Sequence, residues 1–508
     1  MSRLATALQR ETNKLVLRQE RYERWVRDEN ARRQRRVGVP LAPLVPLRPL
    51  YWDWAPGFDP YTVRARSQAI VHSIERSLRD GAYRPRSPAG FWVPKPDGGQ
   101  RLVSVFQVAD NAVSSVVFKS LMAKNRGKIS GRSYAYRSDL TAHDALQYVQ
   151  AEFRRTRRLY VAEYDFSKYF DSIDHDHIRR TLHDERFLLT RSELAVVEAF
   201  LAAPMPTETE YDERTGPQRV VGVPQGTSIS LFLANLAAAP LDRELERQGV
   251  SFVRYADDTL IWSTDYAALS RSVDILHSLA NDIGAEINVK KSEGINLLVA
   301  EGTDAELRYK HSVDFVGYRV SLDELEMKTS AEDRIKDRLR ELMFVNLLKP
   351  VFDEAIDPAR LAGKVDRDYV VFIWQARRFL YGDLSERELR RFQDKGVPLR
   401  RFKGVMAYFP LIDDTDKLVE LDRWLAKEVW LTMRRRQKAL AAAGYTSFPP
   451  PLGLDRMELI KYQRTSTTTG GVLDLRLPSF RRIANIIRTA ATQYGPNQIG
   501  KGVSPYDY

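Results

Sequence analysis

Cysteine is absent from the 508 residues of this chain. A chain without thiols forms no disulfides, no cysteine-based zinc site and no thiol nucleophile. Long apolar runs are missing too, since no stretch reaches the roughly 18 residues that a membrane-spanning helix needs. The longest candidate starts at Leu231 and is interrupted by Asn235 and Pro240. The N-terminus has no hydrophobic signal core. We therefore expect a soluble protein of the cytoplasm.

Basic residues outnumber acidic ones. The chain has 79 Lys and Arg against 67 Asp and Glu, which gives a formal net charge of +12. An excess of this size fits a polyanionic partner such as nucleic acid, and it also fits a protein that is merely basic. The length exceeds that of one ordinary hydrophobic core, so we expect about two to four structural units.

One short acidic segment, Tyr255-Ala256-Asp257-Asp258, lies between two apolar runs and is typical of a β-hairpin tip. Adjacent acids at a tight turn are ordinary turn chemistry. The alternative is that both carboxylates, joined by a third from elsewhere, hold two metal ions for phosphoryl transfer. The candidate third carboxylate is Asp165, which follows a predicted strand at 160–164. Asp171 and Asp174, shortly after it, are interpreted as helix caps.

Two further segments have features of a nucleotide site. A predicted hairpin over 91–105 carries Lys95 and Arg101 beside a Pro/Asp/Gly turn, and these cations suit a triphosphate, although such hairpins are also common as solvated loops. A Pro-Gln-Gly turn at 224–226 precedes a predicted helix over 231–248. In that turn Gly226 would let the backbone approach a ligand closely, and Gln225 could hydrogen-bond a nucleotide or a template strand.

In chain order, Asp165 after a strand, the Pro-Gln-Gly turn before a helix, and the acidic hairpin resemble the palm of a reverse transcriptase. The Lys95 and Arg101 hairpin resembles the fingers strands of that family. Segments 133–137 with 142–146, 287–292 and 314–318 resemble further motifs of the bacterial and group II intron-type enzymes. Ala135 departs from the family pattern, in which glycine is usual. The resemblance covers roughly 91–320.

The resemblance implies two-metal phosphoryl transfer. Asp165 and Asp257 would bridge both ions, Asp258 would complete the site, and the carbonyl of Phe166 would help to hold the nucleotide-bound ion. The implied ions are two Mg²⁺, with Mn²⁺ as the alternative. Lys291 would protonate the leaving pyrophosphate.

Roles in binding are also implied by the resemblance. Phe170, five residues after Asp165, stands where the family has the bulky residue that excludes a ribose 2′-hydroxyl. The residues implied in nucleotide binding are Lys95, Arg101, Phe170, Gln225 and Gly226. Those implied in primer and template binding are Tyr255, Phe315, Gly317 and Tyr318.

Helical patterns dominate after residue 329, with helices predicted over 368–381, 386–395 and 415–443 and a capping box at 330–333. Basic clusters on these helices are either solvated faces or a thumb surface that follows the phosphates of a product duplex. Segments 402–414 and 421–425 resemble the thumb of the bacterial defence-associated, formerly "unknown group", reverse transcriptases.

Together these features predict an α+β right-hand polymerase fold, in which fingers and palm precede an α-helical thumb and a C-terminal extension. The expected parts are a basic N-terminal helical extension with a Pro-rich linker (1–60), fingers (61–160), palm (161–328), a helical thumb-like domain (329–445) and a C-terminal basic extension (446–508).

We expect an RNA-directed DNA polymerase that extends a 3′-hydroxyl with dNTPs in bacterial anti-phage defence, with an associated non-coding RNA as template. The alternatives are a retron or intron-type enzyme, template-independent or protein-primed synthesis, and an RNA-binding scaffold with a vestigial site. The expected partners are the RNA template, the DNA product and dNTPs, without a membrane. A homo-oligomer is left open.

Overall fold

The computed structural model describes residues 2–36, 42–94, 99–206, 211, 217–289, 292–353, 356–396, 402–465 and 472–499. The chain divides into two compact units. The first unit comprises Met1–Trp25, Val45–Ala145 and Thr156–His311. The second comprises Val26–Leu44, Leu146–Arg155 and Ser312–Tyr508. The helices Arg3–Arg36 and Ala142–Phe153 contribute residues to both units.

The first eleven helices and nine strands belong wholly or partly to the first unit. The helices are α1 Arg3–Arg36, α2 Pro60–Ala65, α3 Ser67–Arg79, α4 Val108–Asn125, α5 Ala142–Phe153, α6 Tyr169–Ser172, α7 His175–Asp184, α8 Arg191–Leu201, α9 Ser228–Ala237, α10 Ala239–Arg247 and α11 Tyr266–Ile283, with 3₁₀ turns at Leu50–Asp53 and Arg126–Lys128. The strands are β1 Ala89–Pro94, β2 Gln100–Val105, β3 Arg158–Tyr164, β4 Phe166–Ser167, β5 Ser251–Tyr255, β6 Asp258–Ser263, β7 Glu286–Ile287, β8 Gly294–Val299 and β9 Tyr309–Lys310.

The second unit holds the remaining elements. Its helices are α12 Thr329–Met343, α13 Lys349–Phe352, α14 Arg367–Tyr381, α15 Glu386–Lys395, α16 Thr415–Ala442, α17 Arg456–Lys461, α18 Phe480–Tyr494 and α19 Pro496–Ile499, with a π-helix at Phe344–Leu348 and 3₁₀ turns at Pro358–Arg360 and Val405–Tyr408. Its strands are β10 Ser312–Phe315, β11 Tyr318–Ser321, β12 Leu325–Met327, β13 Gln463–Thr465 and β14 Val472–Asp474.

A five-stranded sheet in the order β5-β6-β3-β8-β9 organises the first unit. All its pairings are antiparallel except β8 with β9. Strand β6 has four consecutive buried residues, the pattern of a strand covered on both faces. Its Ile261 shares one hydrophobic core with Leu233 of α9 and Leu276 of α11. Burying each such side chain contributes about 1.5–3 kcal/mol, so the sheet centre contributes much of the stability of this unit.

The single helix predicted over 231–248 is wrong, because two helices occupy this stretch. Helix α9 ends at Ala237, and α10 begins at Ala239 with Pro240 in its first turn. Proline has no N–H for a bond to the preceding turn, whereas its fixed φ suits a helix start. The proline that interrupts the apolar run therefore also divides the helix.

Helices dominate the second unit, and most of their predicted bounds are correct to within two residues. The capping box predicted at 330–333 is wrong, since α12 starts at Thr329 and its N-cap Lys328 makes no side-chain capping bond. A capping box does form at Ser385, whose side chain and that of Glu388 satisfy each other's backbone N–H groups.

The predicted α+β class is confirmed, with mixed helix and sheet in the first unit and mostly helices in the second. Among the residues that the structure describes, no helix combines the length and apolar character required to cross a membrane.

Candidate active site

Strand register brings the three predicted carboxylates to one end of two neighbouring strands. Tyr164, the last residue of β3, pairs with Thr259 of β6, so Asp165 follows β3 at the level of Asp258. Tyr255 pairs with Asp258 and closes a two-residue turn formed by Ala256 and Asp257. The predicted hairpin tip at 255–258 is therefore confirmed, and Asp165 reaches it across a 92-residue separation in sequence because β3 and β6 are antiparallel neighbours.

The turn at the hairpin tip uses an uncommon backbone conformation. Ala256 has φ +62°, in the left-handed region that two-residue hairpin turns require. Outside glycine and asparagine, a residue keeps this conformation only when its surroundings hold it. Asp257 and Asp258 are partly exposed at the tip, whereas Asp165 is only 8% exposed. The tip thus offers two accessible carboxylates beside one that is nearly enclosed.

A buried arginine fixes this turn from behind. The Arg254 side chain donates from Nε and Nη2 to the two carboxylate oxygens of Asp242 at 2.7 and 2.6 Å. Its Nη1 donates to the carbonyl of Ala256 at 2.9 Å, and Nη2 also donates to Ser133 Oγ at 2.8 Å. Burial alone would lower the pKa of Arg254, but Asp242 outweighs it and keeps the pKa raised. The charged guanidinium of Arg254 therefore holds the Ala256 carbonyl in the acidic turn.

The segment after β7 encloses Asp165. Asn288 donates from Nδ2 to Asp165 Oδ2 at 3.1 Å, and its backbone N–H donates to the Asp165 carbonyl at 2.8 Å. The Asp165 N–H donates to Ser292 Oγ at 3.3 Å. Sequence reasoning quoted this segment only for its lysines and missed Asn288 as a site residue. Lys290 and Lys291 lie outside the described residues, so the structure gives no position for the predicted proton donor.

These carboxylates suit a divalent metal site by their chemistry. Carboxylate oxygens are ligands that Mg²⁺ and Mn²⁺ prefer, and the amide of Asn288 orients the carboxylate of Asp165 through Oδ2. As a set, however, the oxygens of Asp165, Asp257 and Asp258 are not all within 4.8 Å of one another.

A different group of acids is more tightly clustered. Glu324, Glu326 and Asp414 of the second unit have oxygens that all lie within 4.8 Å of one another. Burial raises the pKa of Glu326, and the charge of Asp414 adds to this rise. The sequence reasoning did not single out this cluster, because residues 324 and 414 are 90 positions apart.

The Pro-Gln-Gly turn packs directly against the segment that follows Asp165. The Val223 N–H donates to the Phe170 carbonyl at 2.7 Å, and Gln225 Nε2 donates to Asp171 Oδ1 at 2.8 Å. Gly226 has φ +103°, and a Cβ there would lie 2.3 Å from the carbonyl oxygen of Ser104. The backbone that this glycine approaches closely is therefore that of strand β2, and its close approach to a ligand stays a prediction.

The interpretation of two acids as helix caps holds for one of them. Asp174 is the N-cap of α7, where its carboxylate accepts from the His177 N–H at 2.6 Å. Asp171 is not a cap, because it lies inside the short helix α6 and its carboxylate is exposed. The ring of Phe170 beside it is partly buried, with the Tyr136 ring centroid 6.2 Å away.

The fingers candidates are only partly described. Lys95 lies outside the described residues. Arg101 is a residue of β2 whose backbone pairs with Val93 of β1, and the structure does not describe its side chain. The aromatic residues Trp52 and Trp54 of the Pro-rich segment pack beside Phe91 of strand β1. The structure therefore supports the hairpin and leaves its two cations as predictions.

The predicted primer and template residues lie in both units. Tyr255 is half-buried in the first unit, and burial raises its pKa. In the second unit Phe315 and Tyr318 are buried and pair across the β10–β11 turn, which contains Gly317 at φ +85°. The Tyr318 hydroxyl donates to the carbonyl of Tyr408 at 2.8 Å. Phe315 and Tyr318 thus pack within the second unit.

The chain is similar to proteins of one polymerase family. Residues 93–320 match the family described as reverse transcriptase (RNA-dependent DNA polymerase). The chain is 27% identical over 195 residues to a putative COX1/OXI3 intron 1 protein of Saccharomyces cerevisiae, covering 38% of this chain and 22% of that protein. It is 23% identical over 202 residues to Protein YkfC of Escherichia coli, covering 38% of this chain and 50% of that protein. The matches thus span half or less of these relatives.

Solved structures of telomerase are also similar. A telomerase from Candida albicans in complex with a fragment of telomeric RNA is 12% identical, with a TM-score of 0.38, over 76% of this chain and 66% of that chain. An apo telomerase from Candida tropicalis is 13% identical, with a TM-score of 0.37, over 51% of this chain and 60% of that chain.

Proposed function

We propose that this chain, whose residues 93–320 form a reverse transcriptase domain, is an RNA-directed DNA polymerase that extends a 3′-hydroxyl with dNTPs. The observation that carries this function is the register that brings Asp165 to the acidic hairpin of Asp257 and Asp258 within the matched segment. Three carboxylates on rigid strands are the ligand set that two-metal phosphoryl transfer uses.

Asp165, Asp257 and Asp258 would hold two Mg²⁺ ions, with Mn²⁺ as the alternative and the carbonyl of Phe166 as a further ligand. When bound, the ions activate the 3′-hydroxyl and neutralise charge on the triphosphate. The protein supplies orientation, since the side-chain amide of Asn288 donates to one oxygen of the Asp165 carboxylate. Arg254 holds the turn that carries the other two carboxylates.

The remaining site residues act on the nucleotide and the strands. Phe170, Gln225 and Gly226 would bind the incoming nucleotide with Lys95 and Arg101, and Lys291 would protonate the pyrophosphate. Tyr255, Phe315, Gly317 and Tyr318 would contact primer and template. The division into fingers, palm, thumb and terminal extensions at the predicted boundaries remains part of this proposal.

The biological role we propose is bacterial anti-phage defence in the cytoplasm, with a non-coding RNA as template and DNA as product. It rests on the likeness of segments 402–414 and 421–425 to the thumb of defence-associated reverse transcriptases. An intron-type enzyme is the second candidate, favoured by the intron-encoded yeast relative. A homo-oligomer is compatible with either role.

The test is primer extension by the purified full chain with dNTPs, Mg²⁺ and an RNA template. We expect a DNA product that disappears in the Asp257→Ala/Asp258→Ala double variant and on chelation of the metal. Absence of any metal-dependent product on all templates would favour the RNA-binding scaffold. Sequencing the nucleic acid that copurifies with the chain separates the two roles, since an intron transcript would overturn the defence assignment.

A further inference from the structure

The segment that leads into the Pro-Gln-Gly turn carries a buried arginine, Arg219. Arg219 is only 6% exposed, and its Nε–H has no hydrogen-bond acceptor. Within the described part of the chain, its guanidinium forms no ion pair. Arg254, which is fully buried, has two bonds to one carboxylate. Burying an unpaired charge is costly, so Arg219 requires an explanation that Arg254 does not.

The position of Arg219 is set by the backbone around it. Just before it, Gln218 bridges to Pro204. Just after it, the Gly222 N–H donates to the Ile173 carbonyl at 2.8 Å. A Cβ on Gly222 would lie 2.5 Å from a backbone oxygen of the segment after Asp165, so this contact requires glycine. Arg219 is therefore held beside the nucleotide site by anchored segments on both sides.

The carboxylate whose charge acts on Arg219 is already hydrogen-bonded to another residue. Burial lowers the pKa of the Arg219 guanidinium, and the carboxylate of Asp171 opposes this. Asp171, however, accepts from Gln225 Nε2 at 2.8 Å, which orients that carboxylate toward the Pro-Gln-Gly turn. Asp171 therefore influences Arg219 through its charge and not through a hydrogen bond. The Nε–H of Arg219 stays without an acceptor.

We propose that Arg219 binds a phosphate group at the edge of the site formed by Asp171 and Gln225. A guanidinium offers a planar fork of donors that matches two phosphate oxygens. An anion supplies the missing acceptor and also compensates the buried positive charge of Arg219. A neutral ligand could supply an acceptor but could not compensate the charge. This role rests on the proposed function, because Phe170 and Gln225 beside it are the proposed nucleotide-binding residues.

Two sources carry this phosphate chemistry, namely the triphosphate of a dNTP and the backbone of the template or primer. The variant Arg219→Met keeps most of the aliphatic length and removes the charge. If the source is a dNTP, its KM in primer extension rises about ten-fold or more, as expected for loss of a charged hydrogen bond. If the source is the backbone, the slope of log affinity against log salt for a labelled template–primer falls by about 0.7 to 0.9.

The thermal midpoint of unfolding is measured beside both the KM and the salt dependence. Removal of an unpaired buried charge should raise the thermal midpoint of the free Arg219→Met protein or leave it unchanged. The matched control is Arg180→Met on the exposed face of α7, which should change neither KM nor the salt slope. If the Met variant does not fold, Arg219→Gln takes its place.

A folded Arg219 variant with wild-type KM and wild-type salt slope overturns the phosphate site. Affinity for the template–primer is measured by fluorescence anisotropy without catalysis. If the wild-type chain makes no product, the proposed polymerase function fails, and the salt slope still decides whether Arg219 contacts a phosphate of the bound strand.

Discussion

Asn288 donates to Asp165 twice, from its side chain to Oδ2 at 3.1 Å and from its backbone N–H to the carbonyl at 2.8 Å. The two residues are 123 positions apart and meet because short strand β4, directly after Asp165, pairs with β7, directly before Asn288. The pair of bonds fixes both the backbone and the carboxylate of the most enclosed acid in the site. Asn288 is thus a positioning residue for Asp165.

We expect Asn288→Ala to lower the rate of primer extension by about ten-fold and to raise the Mg²⁺ concentration needed for half-maximal rate. A hydrogen bond to a charged group contributes about 1.5–3 kcal/mol, and its loss lets the carboxylate rotate away from the metal. The measurement is a Mg²⁺ titration at saturating dNTP. Asn281→Ala, at an exposed position on α11, is the control. A loss of rate without any change in the Mg²⁺ requirement would contradict the positioning role.

The buried pair of Arg254 and Asp242 gives a prediction on stability. Arg254→Met leaves the Asp242 carboxylate buried without its partner, and such a loss typically costs about 3–5 kcal/mol. It also removes the donor to the Ala256 carbonyl in the acidic turn. We therefore expect a marked drop in the free energy of unfolding, measured by urea titration. The double variant Arg254→Met/Asp242→Leu should recover much of the stability and not the activity, because the turn remains unsupported.

Local sequence patterns predict the parts of this site whose contacts form between residues close together in the chain. They do not predict contacts between distant segments. The acidic hairpin and the strand before Asp165 follow from apolar patterns a few residues long, and both are present. Asn288 and Arg254 were missed because their roles arise from packing between distant segments, which no short pattern encodes. The capping box at 330–333 failed for a related reason, since α12 begins after Lys328, whose backbone N–H donates to the carbonyl of Gly317 at 3.1 Å.

The Glu193 carboxylate should make the stability of the first unit depend on pH. Burial alone would raise its pKa, but bonds from Lys124, Ser120 and Thr190 lower the pKa to about 2. A carboxylate with a depressed pKa stabilises the fold above its unfolded value of about 4.3, and this contribution is lost as the pH falls toward 2. Glu193→Gln should therefore lower the thermal midpoint at pH 7 by about 2–4 °C, after allowance for solvent screening.

The same substitution should have almost no effect near pH 2, where the wild-type side chain is itself becoming neutral. Comparing wild type and variant by calorimetry at each pH removes the titration of the other carboxylates from the difference. A difference in midpoint that stays constant from pH 7 to pH 2 would contradict the assignment to Glu193.

Phe170 gives a prediction on the choice of sugar. Its ring is partly buried beside Tyr136, and its carbonyl accepts from the Val223 N–H, which ties its position to the Pro-Gln-Gly turn. In the proposed nucleotide site a ring at this place would exclude a 2′-hydroxyl by its volume, whereas an alanine would leave room for it. We expect Phe170→Ala to raise incorporation of ribonucleotides relative to deoxynucleotides by about ten-fold or more.

The measured quantity is the ratio of kcat/KM for a dNTP and the NTP of the same base. Phe118→Ala in α4 removes an equally large, partly buried ring from the same unit, so it controls for a general loss of stability. Because a ratio of two substrates cancels effects common to both, destabilisation alone should leave it unchanged. An unaltered ratio in Phe170→Ala would mean that another side chain makes the selection, and it would leave the proposed metal-dependent role of Asp165, Asp257 and Asp258 untouched.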